Sequence, residues 1–246
     1  MQPIQLAERV RHEAEHGSVI LDMNEANWGW HSAAGKIRKQ RRADFLSEPA
    51  RRLGADALAL EVGCGTGTFT GALTEKFRSL ISIDVSEPLL QRAREKFPQV
   101  KFERRDIHDS GYPGGSFDYV AGCSVLHHLD CEVALAEIHR LLRPAGMLRF
   151  SEPNMLNPQI FLQKNWPWLK RKMGDSPDET AFTPGAMRAA LERAGFVDIV
   201  VEPFEFLHPA TPSWLIRPVL GLERWLEATP VQLIGGSLRI EAVKPA

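Results

Sequence analysis

The sequence predicts an α/β fold in which a mainly parallel sheet is covered by helices on both faces. Between residues 56 and 151, short apolar runs alternate with amphipathic helical stretches, which is the pattern of βαβ units. The loops between them are short, and glycines or acidic residues follow the apolar runs. Crossover helices that join parallel strands pack on both faces of a sheet, so this alternation predicts the layered arrangement.

The individual strands and helices follow from the apolar runs and from their capping residues. The predicted strands are residues 57–62, 80–85, 100–105, 117–122, 147–151, 196–206 and 237–243, and the predicted helices are residues 69–76, 87–96, 131–142 and 184–195. Asp130 and Thr183 are the predicted N-caps of the last two helices. Pro144 and Gly146 are expected to end the helix that Asp130 begins.

The whole chain suits one large α/β domain with insertions. It has 246 residues, of which 43% are hydrophobic and 25% charged, and its net charge is -1. Three regions differ in residue composition and hydrophobic pattern. We expect an N-terminal helical cap at residues 1–55, a sheet core at 56–151, and lid segments with a last helix and two strands at 152–246, all in one structural domain. The net charge provides no global basic field that would attract nucleic acid.

The cysteines and the apolar runs bear on the metal content and the location of the protein. Cys64, Cys123 and Cys131 form no C-x-x-C pair and no zinc pattern, so no metal site is predicted and the thiols are expected to be reduced. Residues 1–17 lack the apolar stretch of a secretory signal, and no run approaches the ~20 apolar residues that span a bilayer. We therefore expect a soluble, cytoplasmic protein without a transmembrane segment.

Residues suited to binding a ligand follow three of the predicted strands. Gly63, Gly65 and Gly67 follow the first strand, Asp84 ends the second and Asp106 ends the third. Ligands of open α/β sheets bind at the carboxyl ends of the strands. Glycines let the backbone turn sharply and approach a ligand without a Cβ atom in the way. Asp84 can accept both hydrogen bonds of a ribose diol, and Asp106 can accept one from an adenine amino group.

Five segments together resemble the class I S-adenosylmethionine-dependent methyltransferases, especially their broad small-molecule group. They are LEVGCGTGTFT (60–70), SIDVSEPLL (82–90), RRDIHD (104–109), FDYVAGCSVLHHL (117–129) and LLRPAGMLRFSEP (141–153). The resemblance is specific over about residues 56–151. It implies a Rossmann-like sheet of seven strands, with the last strand antiparallel and inserted beside the fifth. It also implies that S-adenosylmethionine is the cofactor and S-adenosylhomocysteine the product.

The resemblance further implies which residues hold this cofactor. The methionine part is held by Glu61 and by the backbone of residues 63–67, the ribose by Asp84, and the adenine by Asp106 and the Ile107 backbone, while Gly122 and Cys123 line the methionine and sulfonium end. Cys64 lies within the glycine loop and Val85 directly follows Asp84, so both belong to the same predicted site. Cys64 and Cys123 are expected to be small packing residues rather than reactive thiols.

His127 and His128 follow the fourth strand, beside the expected methyl donor. One of them, preferably His128, is a candidate general base, since an unperturbed imidazole titrates near neutral pH. The alternative hypothesis is structural: one histidine packs beneath the loop and the other is solvated. Methyl transfer from a sulfonium is an in-line displacement whose rate can come largely from positioning, so a base is not required.

The regions outside the core carry the weaker predictions about the substrate. All six tryptophans lie outside residues 56–151, which suggests that the flanks form a lid over an apolar substrate. The alternative is that they attach short helices to the domain. Trp28, Trp30, Arg38 and Trp166 are the candidate substrate residues. Arg38 shares a helix face with Arg42 at i, i+4, and such a basic run either is a solvated surface or reaches an anionic group of the substrate.

These observations favour an enzyme that moves a methyl group from S-adenosylmethionine to an O, N or C nucleophile of a small, apolar or lipid-like molecule. A nucleic-acid methyltransferase is disfavoured because residues 122–129, GCSVLHHL, carry neither a [D/N/S]-P-P-[Y/F/W] motif nor a Pro-Cys nucleophile. The G-x-G-x-G spacing disfavours an NAD-dependent oxidoreductase, whose fingerprint is G-x-G-x-x-G. A non-catalytic S-adenosylmethionine-binding module, peripheral contact with a membrane surface, and a monomer or a homodimer all remain open.

Overall fold

The structure is a computed structural model that describes residues 8–15, 29–173, 176 and 179–246. Seven strands form one sheet in it, in the spatial order third, second, first, fourth, fifth, seventh, sixth. In chain order they are β1 (Leu58–Val62), β2 (Ser79–Asp84), β3 (Lys101–Arg104), β4 (Phe117–Cys123), β5 (Leu142–Pro153), β6 (Val197–Phe204) and β7 (Ser237–Val243). β1 to β5 pair in parallel, whereas β7 is antiparallel to β5 and to β6. The predicted fold class is confirmed, including the antiparallel last strand beside the fifth.

Helices precede, connect and follow these strands. They are α1 (residues 8–15), α2 (Ala33–Ser47), α3 (Ala50–Leu53), α4 (Thr70–Thr74), α5 (Glu87–Lys96), α6 (Cys131–Leu141), α7 (Pro158–Asn165), α8 (Pro167–Met173), α9 (Pro184–Arg193) and α10 (Ser213–Leu226). Single turns of 3-10 helix lie at Ile107–Asp109 and Leu126–His128, and a longer one at Pro230–Ile234. Within the described residues, no helix is both long enough and apolar enough to cross a bilayer.

The two faces of the sheet belong to two separate hydrophobic cores. Tyr119 and Ala121 of β4 pack in a cluster with side chains of α4 and α5. Val120, between them, packs in the other cluster with side chains of α6 and α9. Successive side chains of a strand point to opposite faces, so this alternation confirms that helices cover both sides of the sheet.

Several predicted boundaries agree with the structure and two predictions were wrong. α5 and β7 have the predicted bounds, and Asp130 and Thr183 accept the capping bonds expected of them. β5 begins at residue 142 rather than at 147, because Leu142 already pairs with Phe117 across a register irregularity. The flank after β5 contains α7, α8 and α10 in addition to the predicted α9. α7 and α8 are short and each begins at a proline, whereas α10 contains Pro218, so a periodicity argument did not predict them.

Candidate functional site

A cavity of about 450 Å³ opens where β1, β2, β3 and β4 end. Part of its lining consists of the loops that follow these four strands. The rest comes from the flanking regions, namely α1, α2, α7 and the segment that leads into β7. The sheet core and the flanks therefore meet at one space, large enough for a cofactor-sized ligand.

The glycine loop after β1 has two different requirements for glycine. Gly63 has a φ of +66°, and a Cβ atom there would lie 2.3 Å from Cγ2 of Val125, so packing excludes any larger residue. Gly65 has a φ of +53°, and a Cβ atom there would meet nothing within 4 Å. Because Gly65 lines the cavity, its missing side chain leaves backbone open to a ligand. Gly67 instead packs against the Phe97 ring, 3.0 Å from the position of its Cβ.

Asp84 links the end of β2 to the glycine loop. Its Oδ2 accepts a hydrogen bond from the backbone N–H of Gly65 at 2.8 Å, and its Oδ1 accepts one from Ser86 at 2.9 Å. Burial raises the pKa of Asp84 above its ordinary value, against these hydrogen bonds. Asp84 and Val85 both line the cavity, so a carboxylate lies beside the open backbone at Gly65.

Asp106 lies two residues after β3, at the cavity together with Ile107. Its Oδ1 accepts hydrogen bonds from the backbone N–H of His108 at 2.9 Å and lies 2.6 Å from Nδ1 of the same residue. The backbone N–H of Asp130 donates to Nε2 of His108, so Nδ1 carries the proton and donates to Asp106. Although burial raises the pKa of Asp106, the bonds from His108 lower it overall, which keeps the carboxylate charged.

Three residues predicted to hold the cofactor do not line the cavity. Glu61 is buried, and its Oε2 accepts hydrogen bonds from Thr70 at 2.6 Å and Ser82 at 2.7 Å, so it braces the glycine loop against β2 and α4. Burial raises its pKa to about 7. A Cβ atom on Gly122 would lie 2.5 Å from the Phe150 ring, so this glycine, like Gly67, serves packing. Glu61, Gly67 and Gly122 thus lie behind the cavity wall, in a supporting position, and their contact with the cofactor stays a prediction.

The other predicted residues of the core converge on the cavity. They are Gly63, Cys64, Gly65, Asp84, Val85, Asp106, Ile107 and Cys123. Burial raises the pKa values of the Cys64 and Cys123 thiols. These thiols therefore stay protonated, in agreement with a packing role.

His127 is buried and held between two glutamates. Its Nδ1 lies 2.6 Å from Oε2 of Glu152, and its Nε2 lies 3.4 Å from Oε1 of Glu179. Burial alone would lower the pKa of His127, but the bond and charge of Glu152, assisted by Glu179, raise it from 6.5 to about 9. At neutral pH His127 is therefore already protonated, which argues against the hypothesis that it acts as a general base.

His128 is the more exposed member of the pair and also lines the cavity. Its ring lies 4.2 Å from that of His127, centroid to centroid. Its Nδ1 lies 2.9 Å from Oε2 of Glu13 in α1, and its carbonyl accepts a hydrogen bond from Arg9 at 2.6 Å. Helix α1 thus covers this end of the cavity through contacts with His128.

His127, His128 and Glu179 are close enough to consider as metal ligands. One ligand atom of each lies within 4.8 Å of the others, and imidazole with carboxylate is a common zinc set. Glu179, however, also contacts the Lys164 ammonium. The protonated ring of His127 and the ammonium of Lys164 supply the positive charge that a metal ion would bring, and a protonated imidazole cannot bind a metal. The absence of a metal site stays a prediction.

The candidate substrate residues are distributed unevenly. Trp30 and Arg38 line the cavity, as does Arg42, one turn further along α2. Trp166 does not: it is 54% exposed, and α7 presents Ile160, Gln163 and Lys164 to the cavity instead. Trp166 therefore lies outside this cavity, and its part in substrate binding stays a prediction. Trp28 lies outside the described residues. Trp168, Trp214 and Trp225 are also exposed, so Trp30 alone among the described tryptophans fits the lid hypothesis.

Sequence reasoning missed several residues of the cavity lining. These are Glu13, Ser124, Lys164, Glu179 and Ser237. Ser124 directly follows the predicted site residue Cys123. It has a φ of +55°, a left-handed conformation that its residue type does not predict. The others come from flanking segments in which no local pattern marks one polar side chain above another.

Comparison with known proteins agrees with the fold. Residues 60–150 match a family model described as a methyltransferase domain. This match covers the strands and loops that form the core half of the cavity. Residues 60–150 are therefore similar in sequence to a methyltransferase domain, and the fold is that of solved S-adenosylmethionine-dependent methyltransferases.

Particular relatives differ in chemistry and in length. A demethylmenaquinone methyltransferase of Staphylococcus epidermidis is 29% identical over 174 residues, which cover 59% of this chain and 70% of that protein. A highly reducing polyketide synthase of Pyricularia oryzae is 32% identical over 187 residues, 65% of this chain and 7% of that protein. The structure of the CurJ carbon methyltransferase has a TM-score of 0.63 at 18% identity and covers 91% of this chain and 58% of that one. Three of the curated relatives are spanned only over 30%, 7% and 38% of their length.

Proposed function

We propose that this protein binds S-adenosylmethionine in the cavity and transfers its methyl group to an O, N or C nucleophile of a small molecule. One observation carries the proposal: the glycine loop, Asp84 and Asp106 follow three successive strands of the sheet and converge on one cavity. When bound, S-adenosylmethionine supplies an electrophilic methyl group on a sulfonium. The residues of this chain have to bind it, orient it and admit the acceptor.

The cavity wall suits the parts of this cofactor. Gly65, which leaves backbone open to the cavity, and the adjacent Cys64 would hold the methionine part. Asp84 would accept from the ribose hydroxyls, since each carboxylate oxygen keeps a second lone pair beside its backbone bond. Asp106 and Ile107 would frame the adenine, and Cys123 would line the sulfonium end. Glu61 acts on this site through Thr70 and Ser82, as a positioning residue.

The flanking part of the cavity is the proposed acceptor chamber. Trp30 and Ile160 give it apolar surface, while Arg38, Arg42 and His128 give it polar groups. By their names, one relative acts on a demethylmenaquinone and one structural neighbour methylates carbon. The demethylmenaquinone relative supports a small organic acceptor.

His128 is the candidate base of the proposed reaction, if the acceptor loses a proton. It borders the chamber, and its Nδ1 lies 2.9 Å from Oε2 of Glu13. His127 serves differently, because its proton is already held between Glu152 and Glu179. It would fix the turn that carries His128, as Glu152 also does by accepting from the N–H groups of Val125 and Leu126 at 2.9 Å.

The proposal is tested first by binding of S-adenosylhomocysteine to the purified protein, measured by isothermal titration calorimetry. We expect Asp84→Ala to weaken binding by about 1–3 kcal/mol, because it removes a charged acceptor from the ribose hydroxyls. Asp84→Asn keeps the shape and one oxygen, so it should weaken binding less. Asp56→Ala is the control, since Asp56 pairs with Arg78 on the surface.

Two results would contradict the proposal. If the wild-type protein bound NADH but not S-adenosylhomocysteine, the cofactor would be a nicotinamide dinucleotide and the proposal would be wrong. Equal affinity of the wild-type protein and Asp84→Ala would remove the ribose assignment. If the cofactor binds as expected, incubation with metabolite extracts and a search for products heavier by about one methylene would identify the acceptor.

A further inference from the structure

Two arginines of α2 share one carboxylate at the cavity. Nη2 of Arg38 lies 2.8 Å from Oε2 of Glu205, and Nη2 of Arg42 lies 2.5 Å from the same oxygen. Arg42 also donates to Ser237 at 2.6 Å. Arg42 is 5% exposed and Glu205 is 2% exposed. Two guanidinium charges therefore face a single carboxylate in a site that water scarcely reaches.

Among the residues that the structure describes, the charge of this cluster does not balance. Burial would raise the pKa of Glu205, but the charges of Arg42 and Arg38 lower it below its ordinary value, so the carboxylate is ionised and the cluster carries one net positive charge. The Nε atoms of both arginines are buried without a hydrogen-bond partner among the described residues. A buried donor without a partner is costly, and a buried charge is ordinarily compensated.

The uncompensated charge points to the cavity. Arg38 and Arg42 both line it, and Nη1 of Arg42 lies 3.5 Å from Oγ of Ser124. Both guanidinium groups also lie over the ring of Trp30, 5.6 Å and 5.2 Å from its centroid. Trp30 lines the cavity as well, so it shields the pair and limits screening by solvent.

The order of the strands separates this cluster from the proposed cofactor residues Gly65, Asp84 and Asp106, while Nη1 of Arg42 lies 3.9 Å from Sγ of Cys123, at the proposed sulfonium end. Gly65, Asp84 and Asp106 follow β1, β2 and β3, which form one half of the sheet. The arginine pair contacts Ser124 after β4, Ser237 in β7 and Glu205 after β6, which belong to the other half. The cationic end of the cavity is therefore on the acceptor side.

We propose that Arg38 and Arg42 form an oxyanion subsite that binds a carboxylate or a similarly charged oxygen group of the methyl acceptor. The inference rests on the proposed function, because it assigns the acceptor side of the same cavity. An oxyanion here would neutralise the excess positive charge and supply hydrogen-bond acceptors to the guanidinium N–H groups. The planar guanidinium group is well suited to pairing with the two oxygens of a carboxylate. Glu205 holds the two side chains in place and sets how much charge remains for the ligand.

The local structure at Glu205 is specialised for this role. Its φ is +74°, a conformation that residues other than glycine seldom adopt and that costs free energy. The carbonyl of Glu205 accepts from Gly236 at 2.8 Å, and Gly235 packs against Phe204 so closely that a Cβ would lie 2.8 Å from its oxygen. The backbone is thus fixed so that a buried carboxylate meets two arginines.

The test uses the protein saturated with S-adenosylhomocysteine and titrated with benzoate or with benzamide, its neutral counterpart, by calorimetry. We expect wild-type protein to bind benzoate at least about tenfold more tightly than benzamide, the equivalent of one charge-assisted hydrogen bond. Arg38→Met should abolish this preference, because Arg42 then balances Glu205. Glu205→Gln should increase it, because both guanidinium charges become uncompensated.

Arg41→Met is the matched control. Arg41 lies on the same helix but pairs with Glu223 and Glu227, and it is not part of the cavity lining, so benzoate binding should not change. If Glu205→Gln does not fold, Arg38→Met still tests the proposal. In that variant Glu205 remains paired with Arg42, so the protein is expected to fold. Equal affinity of the wild-type protein for benzoate and benzamide would overturn the proposal.

A second experiment tests whether the arginines bind a carboxylate of the acceptor or the methionine carboxylate of the cofactor. Wild-type protein and Arg38→Met are titrated with S-adenosylhomocysteine and with 5′-methylthioadenosine, which lacks the amino-acid part. We expect Arg38→Met to leave both affinities unchanged within about twofold. Loss of S-adenosylhomocysteine affinity alone would assign the charge to the cofactor and overturn the proposal. Failure of S-adenosylhomocysteine to bind wild-type protein would instead refute the proposed function.

Discussion

His127 is an example of a residue whose chemistry is set by burial and by its neighbours. An isolated histidine would exchange its proton near neutral pH. Here Glu152 and Glu179 stabilise the imidazolium, and Glu179 is itself kept ionised by His127 and Lys164 although burial opposes it. Two neighbouring histidines therefore differ in role: His127 is a fixed cation, and His128 faces the cavity.

The protonation of His127 predicts how stability depends on pH. The pKa in the folded protein is about 9, against 6.5 ordinarily, so the stabilisation is fully present below pH ~6.5 and is lost as pH rises through about 9. The full effect is on the order of 3 kcal/mol. Urea unfolding at pH 6 and pH 9.5 should show a smaller loss in His127→Gln than in wild-type protein. An equal loss in both proteins would refute this assignment.

At the scale of elements, caps and turn residues decide where the helices around the sheet begin. Asp130 and Thr183 each accept a hydrogen bond from the N–H three residues later, at 3.3 Å and 3.2 Å. Pro184 occupies the first turn of α9, where its missing N–H costs nothing. Such signals are local in sequence, and they placed α6 and α9 correctly.

The cap of α9 provides a prediction at this scale. Thr183→Ala should lower the free energy of unfolding by about 1 kcal/mol, because the N–H of Ala186 loses its acceptor at the helix start. Thr183→Ser keeps the hydroxyl and serves as the control, with a change of a few tenths of a kcal/mol. Urea denaturation of the three proteins measures both values. A loss of the same size in Thr183→Ser would mean that the hydroxyl is not the cause.

The whole molecule joins two halves of the sheet at one cavity. The half built from β1, β2 and β3 carries the glycine loop, Asp84 and Asp106. The half built from β5, β7 and β6 carries Ser237 and Glu205, and α2 reaches across with its arginines. A ligand that fills the cavity would contact both halves, so its binding should stabilise the native state as a unit.

This coupling predicts a ligand-dependent melting temperature. S-adenosylhomocysteine at about 100 times its Kd should add roughly 2.7 kcal/mol to the free energy of unfolding. For a chain of this size that corresponds to a rise in Tm of roughly 5–10 °C. Differential scanning fluorimetry of wild-type protein and Asp84→Ala at one ligand concentration measures the rise. An equal rise in both proteins would show that the ligand stabilises the protein from elsewhere.

The amino-acid sequence by itself determined the fold class, the caps of α6 and α9, and the residues that border the cavity after β1, β2 and β3. Gly63, Gly65, Asp84 and Asp106 are recognisable because each follows a strand that its own apolar run defines, and because parallel strands end at one edge of a sheet. The arrangement is local in sequence at every step, so short patterns were enough to predict it.

Only the tertiary structure decided which groups share the other half of the cavity, where the acceptor is proposed to bind. Glu205 meets Arg42 across 163 positions of the chain, and this contact exists only because β7 is inserted between β5 and β6. Contacts between residues distant in sequence also determine that Trp30 lines the cavity whereas Trp166 is exposed. Likewise, they give His127 the partners Glu152 and Glu179 and give His128 the partner Glu13. Partners distant in sequence leave no local pattern, since their contact and their pKa values arise only when the chain has folded.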